Sequence, residues 1–505
     1  MRGHRFAIAP SCALSILFAG EALAQAPSPG ASPRMKAIVY REYGAPDVLR
    51  LEEIEKPVPD DNQLLIKVRA ASVNPLDWHY MEGTPYIGRL LGFGLLQPRV
   101  TRLGVDYAGT VEAVGKNVTA FKPGDDVFGG RTGAFAEYVI ASAEGSVVPK
   151  PAGVTFEQAA SMPIAAVTAL QALRDSGKLR PGQKVLINGA SGGVGTFAVQ
   201  IAKSFGANVT GVCSTRNVEL VRSIGADQVI DYTKEDFTEG APRYDLIIDN
   251  VGNRPLLASR RVLTPDGKYV LIGGGGVNAG RWVGGLVRPI RALVLSRFIS
   301  QEMAMMLARL TKEDLTILGD LVQTGKVKPV IDRRYRLSDV PDALRYLEQG
   351  HARGKVVITL DPTAETSPAS ANLGKVSDER SGPVIIALAL VGFIAGVTIV
   401  PIVVALALNR RFRRRNPGKK PYRWGYYFSV QSFVAGILLG IVLESDTALI
   451  ACGVIYGVLA WFFARRHRWA WLTLTIASCN PLAWIINLVY LWKRWTEDSV
   501  AAPTP

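Results

Sequence analysis

Apolar residues follow different periods along the 505-residue chain, and each change of period marks a part of it. From 184 to 272, short apolar runs alternate with stretches of helical period. Lys184–Asn188 reads as a strand, and Thr196–Phe205 as a helix that sets Phe197, Ile201 and Phe205 on one buried face. Asn208–Ser214 is the next strand. This alternation predicts a parallel sheet with crossover helices. From 36 to 148 the pattern is one of short strands and turns, which predicts a separate β-rich unit. From Val384 onward the polar half of the pattern disappears. Val384–Leu408 carries no charge, and apolar runs follow at about 425–443, 447–464 and 469–492, the last broken by Asn480-Pro481. These lengths predict about four bilayer-spanning helices over 384–495. Trp424, Trp469, Trp471, Trp492 and Trp495 suit the interfacial belts. The Ser/Thr/Ala/Pro-rich stretch 362–383 reads as a linker.

At the other end, Arg2 and Arg5 precede a modest apolar run, Phe6–Gly20, and Ala22-Leu23-Ala24 supplies small residues for cleavage. Residues 1–24 therefore read as a signal peptide and 25–34 as a linker. The competing reading takes Met35 as the true start, because the β-rich unit begins there.

The formal net charge of +15 raises the question of nucleic acid, and its placement answers it. From Ser381 onward there are 13 Lys/Arg against four Asp/Glu, so more than half of the excess lies in the apolar tail. Basic loops between apolar spans set membrane topology, and no RNA-binding motif is present. Arg410–Arg423 holds eight Lys/Arg, and Arg465-Arg466-His467-Arg468 lies between the third and fourth spans. With both loops cytoplasmic, the residues before Val384 lie outside, as a cleaved signal peptide also implies. Against this, the leader lacks a twin-arginine pair, and the cofactor deduced below is a cytosolic one. The expectation is a multi-pass protein of a bacterial-type inner membrane, with the periplasmic side favoured on topology.

Between the strand Lys184–Asn188 and its helix lie Gly189, Gly192, Gly193, Val194 and Gly195. A strand, a glycine turn and a helix form a pyrophosphate cradle: the backbone approaches the phosphates, and the helix N-terminus offers N–H donors and the positive end of its dipole. The alternative is a tight turn in an ordinary α/β fold. An NAD-type site places Asp or Glu at the end of the second strand, on the ribose 2′-hydroxyl. This chain has Cys213-Ser214-Thr215-Arg216 there. No carboxylate repels a 2′-phosphate, and Arg216 can pair with one, which favours NADPH over NADH. Otherwise Arg216 is a solvated residue opening the next helix.

Residues 182–203 resemble the quinone oxidoreductase/zeta-crystallin signature of the zinc-independent medium-chain dehydrogenases/reductases. The resemblance runs from about Met35 to Leu360. Met35-Lys-Ala-Ile-Val-Tyr is similar to the family's first strand. Gly104-Val-Asp-Tyr-Ala-Gly-Thr-Val-Glu-Ala-Val-Gly occupies the place of the Gly-His-Glu segment in zinc alcohol dehydrogenases. Lys122-Pro-Gly-Asp-Asp-Val, Gly225-Ala-Asp, Tyr244-Asp-Leu-Ile-Ile-Asp and Gly354-Lys-Val-Val-Ile follow in family order. The resemblance implies an α/β protein: a GroES-like β-rich domain over 35–160, completed by 328–361, and a Rossmann doubly wound parallel sheet over 161–327. An α-helical transmembrane region would follow.

A catalytic zinc needs about three protein ligands. The four cysteines are Cys12, Cys213, Cys452 and Cys479, and three of them lie in the apolar ends. Asn74 stands where the zinc relatives place a cysteine, and Val105 where they place a histidine. No metal site is expected. By resemblance, Asn74 lies near the nicotinamide and ribose, Thr168 against the cofactor, Tyr232 near the 2′-phosphate with Ser214, and Lys355 near the adenosine half. His79 falls where several relatives carry a pocket tyrosine. It is a candidate to hydrogen-bond a carbonyl or donate a proton, or it merely packs between Trp78 and Tyr80.

The expected activity is NADPH-dependent hydride transfer to a quinone or an α,β-unsaturated carbonyl, without zinc and tethered to a membrane. The alternatives are a non-catalytic NADPH-binding redox sensor and an enoyl-thioester reductase. The expected partners are a lipophilic small-molecule acceptor and the membrane, not nucleic acid, with a homodimer left open. The apolar, basic segment Arg281–Phe298 either lies on anionic lipid, covers the pocket, or packs on the Rossmann core.

Overall fold

The computed structural model describes residues 32–360, apart from 87, 241–242 and most of 273–299, where only 288, 292, 295 and 296 are described. The signal-peptide reading and the membrane-spanning tail lie outside the described residues. Among the described residues, no helix is long and apolar enough to cross a membrane.

Among the described residues, a small hairpin sheet and two larger sheets organise the fold. The first unit opens with a two-stranded antiparallel hairpin, β1 (Arg34–Val39) and β2 (Arg50–Glu55). Then come β3 (Gln63–Ser72), helix α1 (Pro75–Glu82), β4 (Asp106–Val114), β5 (Asp126–Gly130), β6 (Tyr138–Ser142) and β7 (Val147–Pro149). Short helices α2 (Phe156–Ala160) and α3 (Pro163–Gln171) lead into the second unit. There β8 (Lys184–Asn188), α4 (Gly193–Ser204), β9 (Asn208–Cys213), α5 (Val218–Ser223) and β10 (Gln228–Asp231) alternate as the sequence pattern expects; β11 (Tyr244–Asp249) follows β10 without a helix, and α6 (Leu256–Arg261), β12 (Leu263–Leu271) and β13 (Glu302–Met305) come after it. After α7 (Lys312–Gln323), β14 (Ile331–Arg336), α8 (Val340–Glu348) and β15 (Lys355–Thr359) return to the first unit.

The second sheet runs β10-β9-β8-β11-β12-β13, every pairing parallel. Counted from β8 this is strand order 3-2-1-4-5-6, with its reversal between β8 and β11, where ligands bind at the carboxyl ends of such strands. Helix α4 begins at Gly193, three residues before the apolar period suggests, because glycines contribute no side chain to that period. Phe197, Val199 and Ile201 are fully buried beneath it.

The other sheet runs β14-β15-β3-β4-β5-β7, with β6 also paired to β3. Its strands β14 and β15 come from beyond the Rossmann insertion, so the β-rich unit is assembled from two separate stretches of chain. Alanine-rich α3 joins the two units. Ala165, Ala166, Val167 and Ala169 lie in one buried cluster with Ala70, Ala108 and Phe128 of this sheet and Val185, Ile187 and Phe197 of the Rossmann unit. Small side chains let the layers approach closely at the join.

Candidate functional site

The glycine turn lies at the carboxyl end of β8. Gly189 has φ +77°, a left-handed conformation, and a Cβ there would meet Val251 Cγ2 at 2.8 Å. Gly195 packs so tightly that a Cβ would lie 2.0 Å from the Gly189 carbonyl. Gly192 is the N-cap of α4 in extended backbone, with no side chain capping the helix. The first N–H groups of α4, from Gly193 through Gly195, therefore face the turn rather than a capping oxygen. A backbone cradle without side chains, at a helix N-terminus, fits a dinucleotide pyrophosphate.

Gly192 also bridges to Gly354 of the β-rich unit. Gly354 takes φ +102°, and a Cβ on it would strike the Val330 carbonyl at 2.4 Å. The next residue, Lys355, runs beside the cradle; a Cβ on Gly193 would touch its Cδ at 3.1 Å. Its ammonium ends at Asn74. Lys355 Nζ donates to Asn74 Oδ1 at 2.6 Å and to the Val73 carbonyl at 3.1 Å, with Asp106 Oδ2 at 3.5 Å. The resemblance sets Lys355 near the adenosine half; in the structure its ammonium meets Asn74.

Asp106 is the centre of this network and is fully buried. Its Oδ2 accepts from Ser72 Oγ at 2.8 Å and Asn74 Nδ2 at 2.9 Å, and its Oδ1 from the Ile164 N–H at 3.0 Å, at the start of α3. Asn74 in turn opens α1. Its N–H donates to Asp77 Oδ2 at 2.8 Å, while Asp77 Oδ1 accepts from the Gly104 N–H at 2.8 Å. Burial pushes the Asp77 carboxyl up to about 7, aided by Asp106 and opposed by those two N–H donors. Burial also holds the Lys355 ammonium below its usual range, against the pull of Asp106 and Asp77. Neither carboxylate was singled out from the sequence. Asp106 had a signal, since it closes the Gly104-Val105-Asp106 segment.

His79 lies farther along α1 and is outside the Asn74 network. Its ring stacks on Trp78, with centroids 4.8 Å apart, and its Nδ1 is buried without a partner. Burial lowers its pKa, which favours the neutral imidazole. Thr168 is also outside: its hydroxyl donates to the Ile164 carbonyl of its own helix at 2.6 Å.

The other end of the cradle gathers Ser214, Arg216 and Tyr232. Ser214 follows β9 and Tyr232 follows β10, and the Tyr232 N–H bonds the Cys213 carbonyl at 3.0 Å. Arg216 is exposed, and its Nη2 donates to the His351 carbonyl at 3.1 Å, which leans it toward the loop before Lys355. Asn217, unmarked in the sequence, ties this corner to the cradle. Its Nδ2 donates at 3.1 Å to both Ser191 Oγ and Ser214 Oγ. Asp231, at the end of β10, is held at about 2 by the Thr215 hydroxyl and by Thr233.

Comparison with known proteins follows the same division. A model described as "Alcohol dehydrogenase GroES-like domain" matches residues 60–152, and one described as "Zinc-binding dehydrogenase" matches 224–358. The mitochondrial NAD(P)H oxidoreductase RTN4IP1 of Mus musculus is 36% identical over 356 residues, 65% of this chain and 89% of the relative. The 2-methylene-furan-3-one reductase of Solanum lycopersicum is 36% identical over 340 residues, 64% of this chain and 79% of the relative. The solved structure of Escherichia coli quinone oxidoreductase complexed with NADPH is 25% identical with a TM-score of 0.55, covering 64% of this chain and 99% of that one. The fold, the order of the motifs and these relatives together make the chain a member of the quinone oxidoreductase-like medium-chain dehydrogenases/reductases, and an oxidoreductase by family.

Proposed function

We propose that the chain is an NADPH-dependent reductase of quinones or α,β-unsaturated carbonyls that works without zinc and is held to a membrane by its apolar tail. The observation that carries this reading is the Gly192–Gly354 bridge. It sets a dinucleotide-type cradle directly beside the buried Lys355–Asn74–Asp106 network.

Bound in the cradle, NADPH would supply a hydride for an electron-poor carbon. The amides at the start of α4 and the glycine turn bind its diphosphate, and Arg216, with Ser214 and Tyr232, meets its 2′-phosphate. Asn74 has both ends of its amide committed, to Lys355 and Asp106, so it cannot turn. A wall fixed in this way orients what lies against it without reorganising during the reaction. The neutral imidazole of His79 suits a hydrogen bond to the acceptor's oxygen better than a standing positive charge.

The case against zinc rests on donor chemistry. Where the zinc relatives carry a cysteine, Asn74 offers an amide already engaged with Lys355 and Asp106, and Val105 offers no ligand atom. Membrane attachment is supported by the hydropathy of 384–495, and a lipophilic acceptor suits an enzyme placed there.

NADPH oxidation by the purified full-length chain, with a panel of quinones and enones and with chelator present, tests the reading. Turnover on one class without stoichiometric zinc is expected. Tight NADPH binding with no oxidation on any acceptor would favour the sensor, and about one zinc per chain would refute the metal-free chemistry.

A further inference from the structure

Arg288 belongs to the apolar, basic stretch that the sequence left between a lipid contact, a pocket cover and a packed helix. Its guanidinium is not at the surface: the side chain is 11% exposed and reaches into the crevice end of the Rossmann sheet. Nη1 donates to the Gly252 carbonyl at 2.9 Å, and Nη2 to the Tyr269 hydroxyl at 2.7 Å and to Asp249 Oδ2 at 3.2 Å. Tyr269 itself donates to the same Asp249 oxygen. Asp249 is 1% exposed and ends β11, next to the strand that carries the cradle.

The second oxygen of Asp249 organises the turn after β11. Oδ1 accepts from the Val251 N–H at 3.0 Å, the Gly252 N–H at 2.8 Å and Asn188 Nδ2 at 2.8 Å. Asn188 is the last residue of β8, and Val251 fills the space that a Cβ on Gly189 would need. Asp249 thus holds the turn that forms one wall of the cradle, and it brings a buried negative charge to a site built for an anion. A buried carboxylate without a matching cation is destabilising and, in a low dielectric, repels a diphosphate nearby.

We infer that Arg288 is a positioning residue for the cofactor: by neutralising Asp249 and clamping the Gly252 carbonyl, it fixes the 249–252 wall of the cradle and removes the charge that would oppose the dinucleotide. This rests on the reading of the cradle as a nicotinamide dinucleotide site. It also assigns the arginine at this point of the segment to the protein interior rather than to lipid. Because the pair lies under the glycine turn and not at the 2′-phosphate corner, it serves NADPH and NADH alike.

The test is equilibrium binding of both cofactors to the full-length chain, followed by nicotinamide fluorescence, with kcat measured at saturating cofactor. Arg288→Ala, folded by circular dichroism, should weaken NADPH and NADH together by about tenfold or more while kcat changes by less than about threefold. Arg288→Lys should recover part of the loss, since one ammonium reaches Asp249 but not Gly252 as well. The neutral pair Asp249→Asn/Arg288→Gln should bind within about threefold of wild type, and it carries the comparison if Arg288→Ala does not fold. Wild-type affinity in Arg288→Ala, a loss for NADPH alone, a fall in kcat at unchanged affinity, or a neutral pair as weak as Arg288→Ala would overturn the inference. A wild-type chain that binds neither cofactor would instead overturn the reading of the cradle.

Discussion

Lys355 Nζ lies 2.6 Å from Asn74 Oδ1, and the two residues stand 281 positions apart in the chain. Neither forms part of the glycine turn, yet both meet beside it. Lys355 is also the cation nearest Asp106, which has no exposure of its own. Replacing Lys355 with Met leaves that carboxylate buried with hydrogen bonds but no opposite charge. The expected result is a loss of about 3 kcal/mol or more of stability in denaturant titrations. Lys355→Met/Asp106→Asn should recover much of it. Single and double variants with equal stability would contradict the charge pairing.

On the proposed reading, Arg216 separates the two nicotinamide cofactors. Arg216→Ala should weaken NADPH binding by about 1.5–3 kcal/mol, the range for a hydrogen bond to a charged group, and leave NADH nearly unchanged. Equal losses for both cofactors in a binding titration would remove Arg216 from the 2′-phosphate.

Glu348 on α8 predicts a pH effect on stability. Burial, with Glu82 as a like-charged neighbour, pushes its carboxyl up from 4.5 to about 7, and its Oε1 is buried without a partner. The folded chain therefore holds this proton more tightly than the unfolded chain between pH 4.5 and about 7. Stability falls as pH rises through that window, and the full cost is present above it. Glu348→Gln should stabilise the protein by about 1–2 kcal/mol at pH 8, less than the full linkage value because the group is partly solvated. Near pH 4.5 the two proteins should melt alike. A Glu348→Gln chain no more stable than wild type at pH 8 would show that the carboxyl is already ionised at no cost.

On the proposed membrane attachment, the side of the membrane follows from two fusions truncated near Ala371, one to alkaline phosphatase and one to a fluorescent protein that matures only in the cytoplasm. The basic stretches 410–423 and 465–468 predict an active phosphatase. Bright fluorescence with a silent phosphatase would place the oxidoreductase domain inside and show that Met35 is the start or that the leader does not export.

The parts that could be read from the sequence are those whose signal is local. The strand 184–188, the glycines after it and the helix face at Phe197 and Ile201 all lie within about one βα unit. The network around Asp106 could not be read this way. It depends on Ser72 pairing opposite Asp106 between β3 and β4, on an α3 amide 58 residues later, and on a lysine from the last described strand. Asn217 and Arg288 were hidden for the same reason: an amide in a short turn and an arginine in an apolar run carry no periodic mark. His79 is marked by resemblance alone; the fold stacks its ring on Trp78, and it makes no hydrogen bond to the Asn74 network.

The return of β15 to the centre of the first sheet has a consequence for how the protein is made. A ribosome delivers the Rossmann strands, 184–305, as one continuous stretch that can fold as it emerges. The β-rich sheet must wait. Its strand β3 is synthesised early, but β15, its partner through Ser72 and Val357, is not, and the Ala70–Ser72 end of β3, beyond the reach of β6, stays open until then. A sheet edge left open during synthesis invites pairing with another chain. Val357–Thr359 of β15 close it, and the residue at the head of that strand is Lys355. A nascent chain thus acquires its last sheet contact and its buried ammonium in the same step, and no half-made chain carries the finished Asp106 network.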